Sequence, residues 1–241
     1  MQKESPSPDQ PELAYLQLLH LADSAFPIGA LSHSFGLETL VSANQLRATT
    51  LEVFLQGYLE EAVVAEAVFC REAARLASES KSEFSANRWR EINETLAALK
   101  PAREAREGSA SLGRNFLRAV FAATENKFLR KALEAAENSP AHTIEHSPAF
   151  GLAGGALKFD EDAIVLAYLH QWTANSVSTF QRLSPLGQTQ ATRILWNLKP
   201  AMLEAANRSA KLSPDNLSNF TPMLDWGAME HPALTTRLFI S

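Results

Sequence analysis

The sequence predicts an all-α fold, a single compact, bundle-like domain of about eight or more helices. Apolar residues recur three and four positions apart over long stretches, which is the spacing of one buried helix face. Sustained apolar–polar alternation bounded by hairpin turns, which is typical of strands, does not occur. Hydrophobic residues make up 46% of the 241 residues, enough to fill a sizeable core, and no internal repeat indicates a helical solenoid.

Charge and composition argue against several classes of protein. The formal charge is −5 and no basic run is longer than a pair, which disfavours nucleic-acid binding and a basic membrane-surface helix. No stretch approaches the roughly 18 apolar residues of a membrane span, and the first residues lack the apolar core of a secretory signal. The lone Cys70 is expected to be a buried hydrophobe. We therefore expect a cytoplasmic protein.

The first segments are a polar tail, a helix and an apolar loop. Residues 1–12 contain three prolines and are expected to be disordered, and one domain then covers residues 13–241. Clustered leucines predict a helix over 13–21, and a proline and a glycine end it. The following loop keeps Phe26 and Ile28, and a loop with bulky apolar residues usually packs them against something. A second helix is expected over Ser32–Ser42.

The middle of the chain shows clear helix signals. Thr49-x-x-Glu52 matches a capping box, and the helix that it opens has apolar residues spaced along one face. Another helix is expected over 83–99, and Pro101 suits the first turn of the next. Gly108 and Gly113 lie inside that helix. Because glycine costs about 1 kcal/mol against alanine in a helix, the pair indicates a close approach between two helices.

The last part of the chain is punctuated by prolines. Residues 138–148 are predicted to form a linker or irregular turn, and glycines within the next short helix indicate tight packing. Asp160 is a plausible N-cap for a long helix that ends before Pro185. The helices expected in this part span 149–159, 160–183, 187–198 and 202–210. The final residues are apolar, which leaves two alternatives: a tail docked on its own core, or a tail that docks on, or is ordered by, a partner protein.

One string has the form of a catalytic metal site. His142-Thr143-Ile144-Glu145-His146 fits H-x-x-E-H, in which two helical histidines bind zinc and the glutamate activates water. Prolines bracket the string within nine residues and leave little room for the required helix, so we interpret it as a surface loop. A zinc-dependent hydrolase is kept as the alternative. The chain offers no phosphate-binding loop, nucleophile elbow or cofactor motif, and neither an enzyme nor a cofactor is expected.

Four stretches resemble one protein family. Residues 23–38, DSAFPIGALSHSFGLE, resemble the N-terminal signature of UreF urease accessory proteins. Residues 108–117, RLSPLGQ at 182–188 and RLFIS at 237–241 match in the same order. The resemblance extends over residues 13–241. It implies an all-helical homodimer without cofactor or catalytic residues, which binds UreD (UreH in some systems), recruits the GTPase UreG, and acts in nickel insertion into apo-urease.

The resemblance also implies which residues contact partners. Arg237 matches an arginine of the family's C-terminal motif, and the expected contact residues are those of the N-terminal signature and the tail: Phe26, Ile28, Leu31, His33, Phe35, Arg237, Leu238 and Phe239. Leu31 departs from the family because the position is often aromatic. Pro232 replaces a frequent glutamate, and Thr235 replaces a frequent aromatic residue. A helical adaptor unrelated to urease is the remaining alternative.

Overall fold

A computed structural model describes residues 11–79, 83–139, 141, 143–217 and 221–241. Within these ranges the protein is all-α and contains no strand, as the sequence predicts. The helices are α1 (Pro11–Leu21), α2 (Leu37–Ser42), α3 (Leu51–Glu60), α4 (Ala62–Glu79), α5 (Ala86–Ala98), α6 (Arg103–Thr124), α7 (Lys127–Glu137), α8 (His146–Ala156), α9 (Glu161–Leu183), α10 (Gln188–Asn197), α11 (Lys199–Ser209) and α12 (Pro222–Glu230). None of them is long and apolar enough to cross a membrane.

Helix α8 is the centre of the molecule. Its residues 146–155 are all buried, and it packs against α4, α6 and α9. A Cβ on Gly151 would lie 1.9 Å from the carbonyl oxygen of Cys70, and one on Gly155 would lie 2.2 Å from that of Ala74. Two turns of α8 therefore lie directly against the backbone of α4, which confirms that these glycines mark tight packing.

Most of the predicted helices are present, with boundaries shifted by a few residues. Asp160 is the N-cap of α9, since its side chain accepts a hydrogen bond from the N–H of Ala163. The capping-box prediction was wrong: Thr50, not Thr49, precedes α3, and its hydroxyl bonds to Arg47 instead of capping the helix. Helix α1 begins at Pro11, and residues 1–10 of the predicted tail lie outside the described residues.

The helix predicted over Ser32–Ser42 is interrupted. A 3₁₀ turn covers Ala30–Ser32, and α2 begins only at Leu37. Between them Phe35 and Gly36 adopt left-handed backbone angles, with φ of 50° and 93°. Gly36 is needed here twice over, because a Cβ would also lie 2.7 Å from the carbonyl oxygen of Leu224 on α12. The residues from 22 to 36, called the N-terminal loop below, are therefore irregular apart from this 3₁₀ turn.

The predicted surface loop around the H-x-x-E-H string is wrong for its last three residues. Ile144, Glu145 and His146 are buried, and His146 already begins α8, which was predicted to start at Ala149. Gly113 does make a close approach, but to this segment and not to another helix, since a Cβ on it would be 2.0 Å from the carbonyl oxygen of Ile144. His142 lies outside the described residues. Glycine therefore lets this segment pass against α6.

Candidate functional site

The last residues of the sequence form a strap, defined here as residues 231–241, that lies on the N-terminal loop. The N–H of Ile240 donates to the carbonyl oxygen of Ser32 at 2.8 Å. The N–H groups of Ser34 and Phe35 both donate to the carbonyl oxygen of Ser241. Of the two alternatives for the tail, the structure shows the first: the strap docks on its own chain.

Glu38, the second residue of α2, anchors the backbone of the strap. Its carboxylate accepts the N–H of Leu238 at 2.6 Å and the N–H of Phe239 at 3.1 Å. The side chain is buried, and it has a third partner in Nε2 of His231, 2.9 Å away. A buried carboxylate is costly unless it is paired and hydrogen-bonded, and here each partner belongs to the strap.

His231 joins the strap to α6 as well. Its ring is completely buried between two carboxylates, with Nδ1 2.6 Å from Glu104 and Nε2 2.9 Å from Glu38. Glu104 also pairs with the guanidinium of Arg237 at 3.2 Å. Two carboxylates and two basic side chains thus alternate along one chain of contacts, called the charge quartet below: Glu38, His231, Glu104 and Arg237.

Small residues make room for the strap. A Cβ on Gly108 of α6 would lie 3.0 Å from both Nδ1 of His33 and Oγ of Ser241. These two atoms share a hydrogen bond of 2.7 Å. The close approach expected at Gly108 is therefore confirmed, but the neighbours are the N-terminal loop and the strap, not another helix.

The predicted contact residues fall into two groups. Phe26 and Ile28 are buried in the core, where Phe26 packs against Phe116, so they hold the N-terminal loop and offer little surface. Phe239 is also buried, with the guanidinium of Arg182 4.5 Å above its ring. The others are reachable: Leu31 and Leu238 are 46% and 55% exposed, Arg237 is partly exposed, and His33 and Phe35 are half-buried.

Sequence reasoning missed three members of the site. In the sequence Glu38, Glu104 and His231 resemble ordinary surface residues. The burial of a charged side chain cannot be predicted until its partners are known. The signal available was weak: Glu38 is the last residue of the quoted signature and follows the apolar Leu37. Ile240, 68% exposed, was noticed only as part of an apolar tail.

A second group of buried charges lies in the interior, apart from the strap. Lys100 pairs with Glu66 at 2.8 Å and with Glu145 at 2.7 Å. Glu66 also accepts hydrogen bonds from the hydroxyls of Ser147 and Tyr168. Burial would raise the pKa of Glu66, but the charge and hydrogen bonds of Lys100 outweigh it, and the pKa is lowered. This arrangement fits a structural ion cluster, since each charge has a partner.

His146, from the H-x-x-E-H string, lies beside that cluster. Its ring packs edge-on against Phe116 and Tyr168, and Nε2 has no hydrogen-bond partner among the residues that the structure describes. Burial lowers its pKa to about 4, so the ring is neutral near pH 7. Within the described residues, no three His, Cys, Asp or Glu side chains are grouped to hold a metal ion. The zinc-hydrolase alternative gains no support from the described part of the string.

Comparison with known proteins decides the family. The UreF family model matches residues 46–199. The chain belongs to the UreF family. It is 32% identical to the urease accessory protein UreF of Trichormus variabilis over 231 residues, covering 94% of this chain and 96% of the relative. It is also 32% identical to UreF of Microcystis aeruginosa over 236 residues, covering 97% and 99%. UreF of a Bradyrhizobium species is 30% identical over 229 residues.

Membership in the UreF family decides between the functional alternatives at a coarse level. The relatives are named urease accessory proteins, and they match nearly the full length of this chain. This favours an accessory protein over an unrelated helical adaptor. The family model begins at residue 46, so it does not include the N-terminal loop or the strap. The relatives align over 94% and 97% of this chain.

Proposed function

We propose that this protein is a non-catalytic scaffold for urease maturation in the cytoplasm. As a homodimer it binds UreD (or UreH) and recruits the GTPase UreG, and the assembly docks on apo-urease for nickel insertion. The strap and the outer side of the N-terminal loop provide the contact surface. The proposal rests on family membership for the partners and on one structural observation for the surface.

That observation is the alternation of side chains along the strap. Its backbone is fixed by hydrogen bonds to Ser32 and Glu38, while Leu238 and Ile240 are 55% and 68% exposed on either side of the buried Phe239. Leu31, 46% exposed, lies on the N-terminal loop to which the strap is bonded. Ordered apolar side chains at the surface favour protein–protein contact, because the backbone under them loses no further entropy on binding.

The test replaces the exposed apolar side chains of the strap without touching its anchors. In the double variant Leu238→Ser with Ile240→Ser, we expect co-purification with UreD and UreG to fall at least about tenfold, because each lost apolar anchor removes more than about 1 kcal/mol of binding. The helical circular dichroism should not change. Arg237→Ala is expected to weaken assembly in the same assay.

The matched control is Val53→Ser with Leu203→Ser. These side chains are 74% and 52% exposed and lie on α3 and α11. Assembly should be unaffected by this pair. If the strap variant assembles as well as the control variant, the strap is not the contact surface and the proposal fails at that point.

A further inference from the structure

The two ring nitrogens of His231 determine how many protons the charge quartet must hold. Ionised carboxylates only accept hydrogen bonds, so an imidazole between two of them must donate from both nitrogens. The contacts of 2.9 Å to Glu38 and 2.6 Å to Glu104 are both hydrogen-bond distances. One proton beyond the neutral imidazole is therefore required. The same count holds if that proton sits on a carboxyl group of the pair.

With this proton the quartet is electrically neutral. Two carboxylates, Glu38 and Glu104, face two cations, His231 and Arg237. These are the charged groups that the structure brings against the ring from α2, from α6 and from the strap. Loss of the proton leaves a net negative charge where His231 is fully buried, and one of its two hydrogen bonds must break.

Glu38 transmits that change to the strap backbone. The same carboxylate that faces His231 also accepts the N–H groups of Leu238 and Phe239. When the ring is unprotonated, the carboxylates of Glu38 and Glu104 repel each other across it. The carboxylate of Glu38 is then free to move away from these N–H groups. We propose that His231 is a proton-dependent latch: its charged form holds the strap on the N-terminal loop, and loss of the proton releases it.

The latch would regulate the contact surface proposed above. Its effect on partner binding therefore rests on the proposed function. A held strap fixes Leu238 and Ile240 in place, and a released strap must be ordered again before it binds a partner. The latch itself is a property of the isolated protein. Its test therefore contains no partner, and a failed latch is distinguishable from a failed scaffold.

The experiment is amide hydrogen exchange of Leu238, Phe239 and Ile240 from about pH 6 to about pH 9.5, corrected for intrinsic exchange rates. The sign follows from the charged form holding the strap: protection is present at low pH and is lost as pH rises. We expect a fall of about tenfold or more, since hydrogen bonds between charged groups are the stronger ones. Amides of α5 around the buried Trp89 serve as the internal reference.

Two substitutions separate the latch from a merely structural role. His231→Gln should show low strap protection at all pH values, and the matched control His170→Gln, at an exposed histidine of α9, should behave as the unsubstituted protein. Should His231→Gln fail to fold, Glu104→Gln removes one negative partner and should move strap release to lower pH. Protection that does not change with pH, or that survives in His231→Gln, or a release unmoved by Glu104→Gln, would overturn the latch.

Discussion

The packing of α8 on α4 can be tested by adding one carbon atom. In Gly151→Ala the new Cβ would lie 1.9 Å from the carbonyl oxygen of Cys70, whereas ordinary contacts begin at 3.4 Å. The difference, 3.4 − 1.9 = 1.5 Å, must come from moving one of two helices, because the obstructing atom is backbone and has no rotamer to change. Overpacking costs about 1–3 kcal/mol and sometimes more.

The helix propensity of alanine offsets part of this cost. Alanine gains about 1 kcal/mol over glycine inside a helix. With the overpacking cost at its upper end, Gly151→Ala should lower the free energy of unfolding by roughly 2 kcal/mol. For a chain of this size that corresponds to a fall in Tm of about 4–8 °C. Urea unfolding followed by helical circular dichroism, at constant protein concentration, measures the change.

Gly57 provides the matched control. It lies inside α3, and a Cβ on it would meet nothing within 4 Å. Gly57→Ala therefore keeps the propensity gain without the clash, and stability should rise by about 0.5–1 kcal/mol. The two identical substitutions should change stability in opposite directions. A stabilised Gly151→Ala protein would refute the direct contact between α8 and α4.

Two further predictions concern the interior charges. Burial lowers the pKa of His146 from its ordinary 6.5 to about 4, so the neutral ring contributes stability above pH 6.5 that is lost as pH falls toward 4. The unfolding free energy should fall by roughly 3 kcal/mol over that range, and His146→Phe should flatten the slope measured in urea at successive pH values. Lys100→Met leaves Glu66 and Glu145 facing each other and should cost roughly 3–5 kcal/mol. Arg103→Met, which breaks an exposed pair with Glu107, should cost less than about 0.5 kcal/mol in the same unfolding assay. Equal costs for the two cations would contradict the burial of the Lys100 cluster.

The helices that the sequence predicted well are those with one buried face. In α3 the fully buried Leu51, Leu55 and Leu59 recur at a spacing of four, and this pattern is visible in the sequence alone. Helix α8 is buried on every side, so its residues carry no polar face and the sequence predicts a linker for its first turn. The sequence does not predict the break between α6 and α7. The break depends on Glu125, which has a φ of 50°, a conformation that is uncommon for glutamate.

The candidate site was only partly predictable for a similar reason. The N-terminal loop and the tail were identified as the important segments, and the structure brings them together. Which of their side chains face outward was not predictable, because it depends on contacts between residues about 200 positions apart, such as that of Glu38 with Phe239. Phe26 and Ile28 illustrate the limit: their apolar character is consistent with a surface contact or with the core, and the structure places them in the core.

The strap has a consequence for the order in which the protein is made. The N-terminal loop leaves the ribosome early, but Ser34 and Phe35 obtain their hydrogen-bond acceptor only when Ser241 has been synthesised. Glu38 obtains its backbone donors only with Leu238 and Phe239. Until then the helical core can assemble while the loop remains uncovered, since domains begin to fold during synthesis. Docking of the strap therefore follows assembly of these helices, and a nascent chain halted before residue 238 would contain α1 to α12 with the N-terminal loop still uncovered.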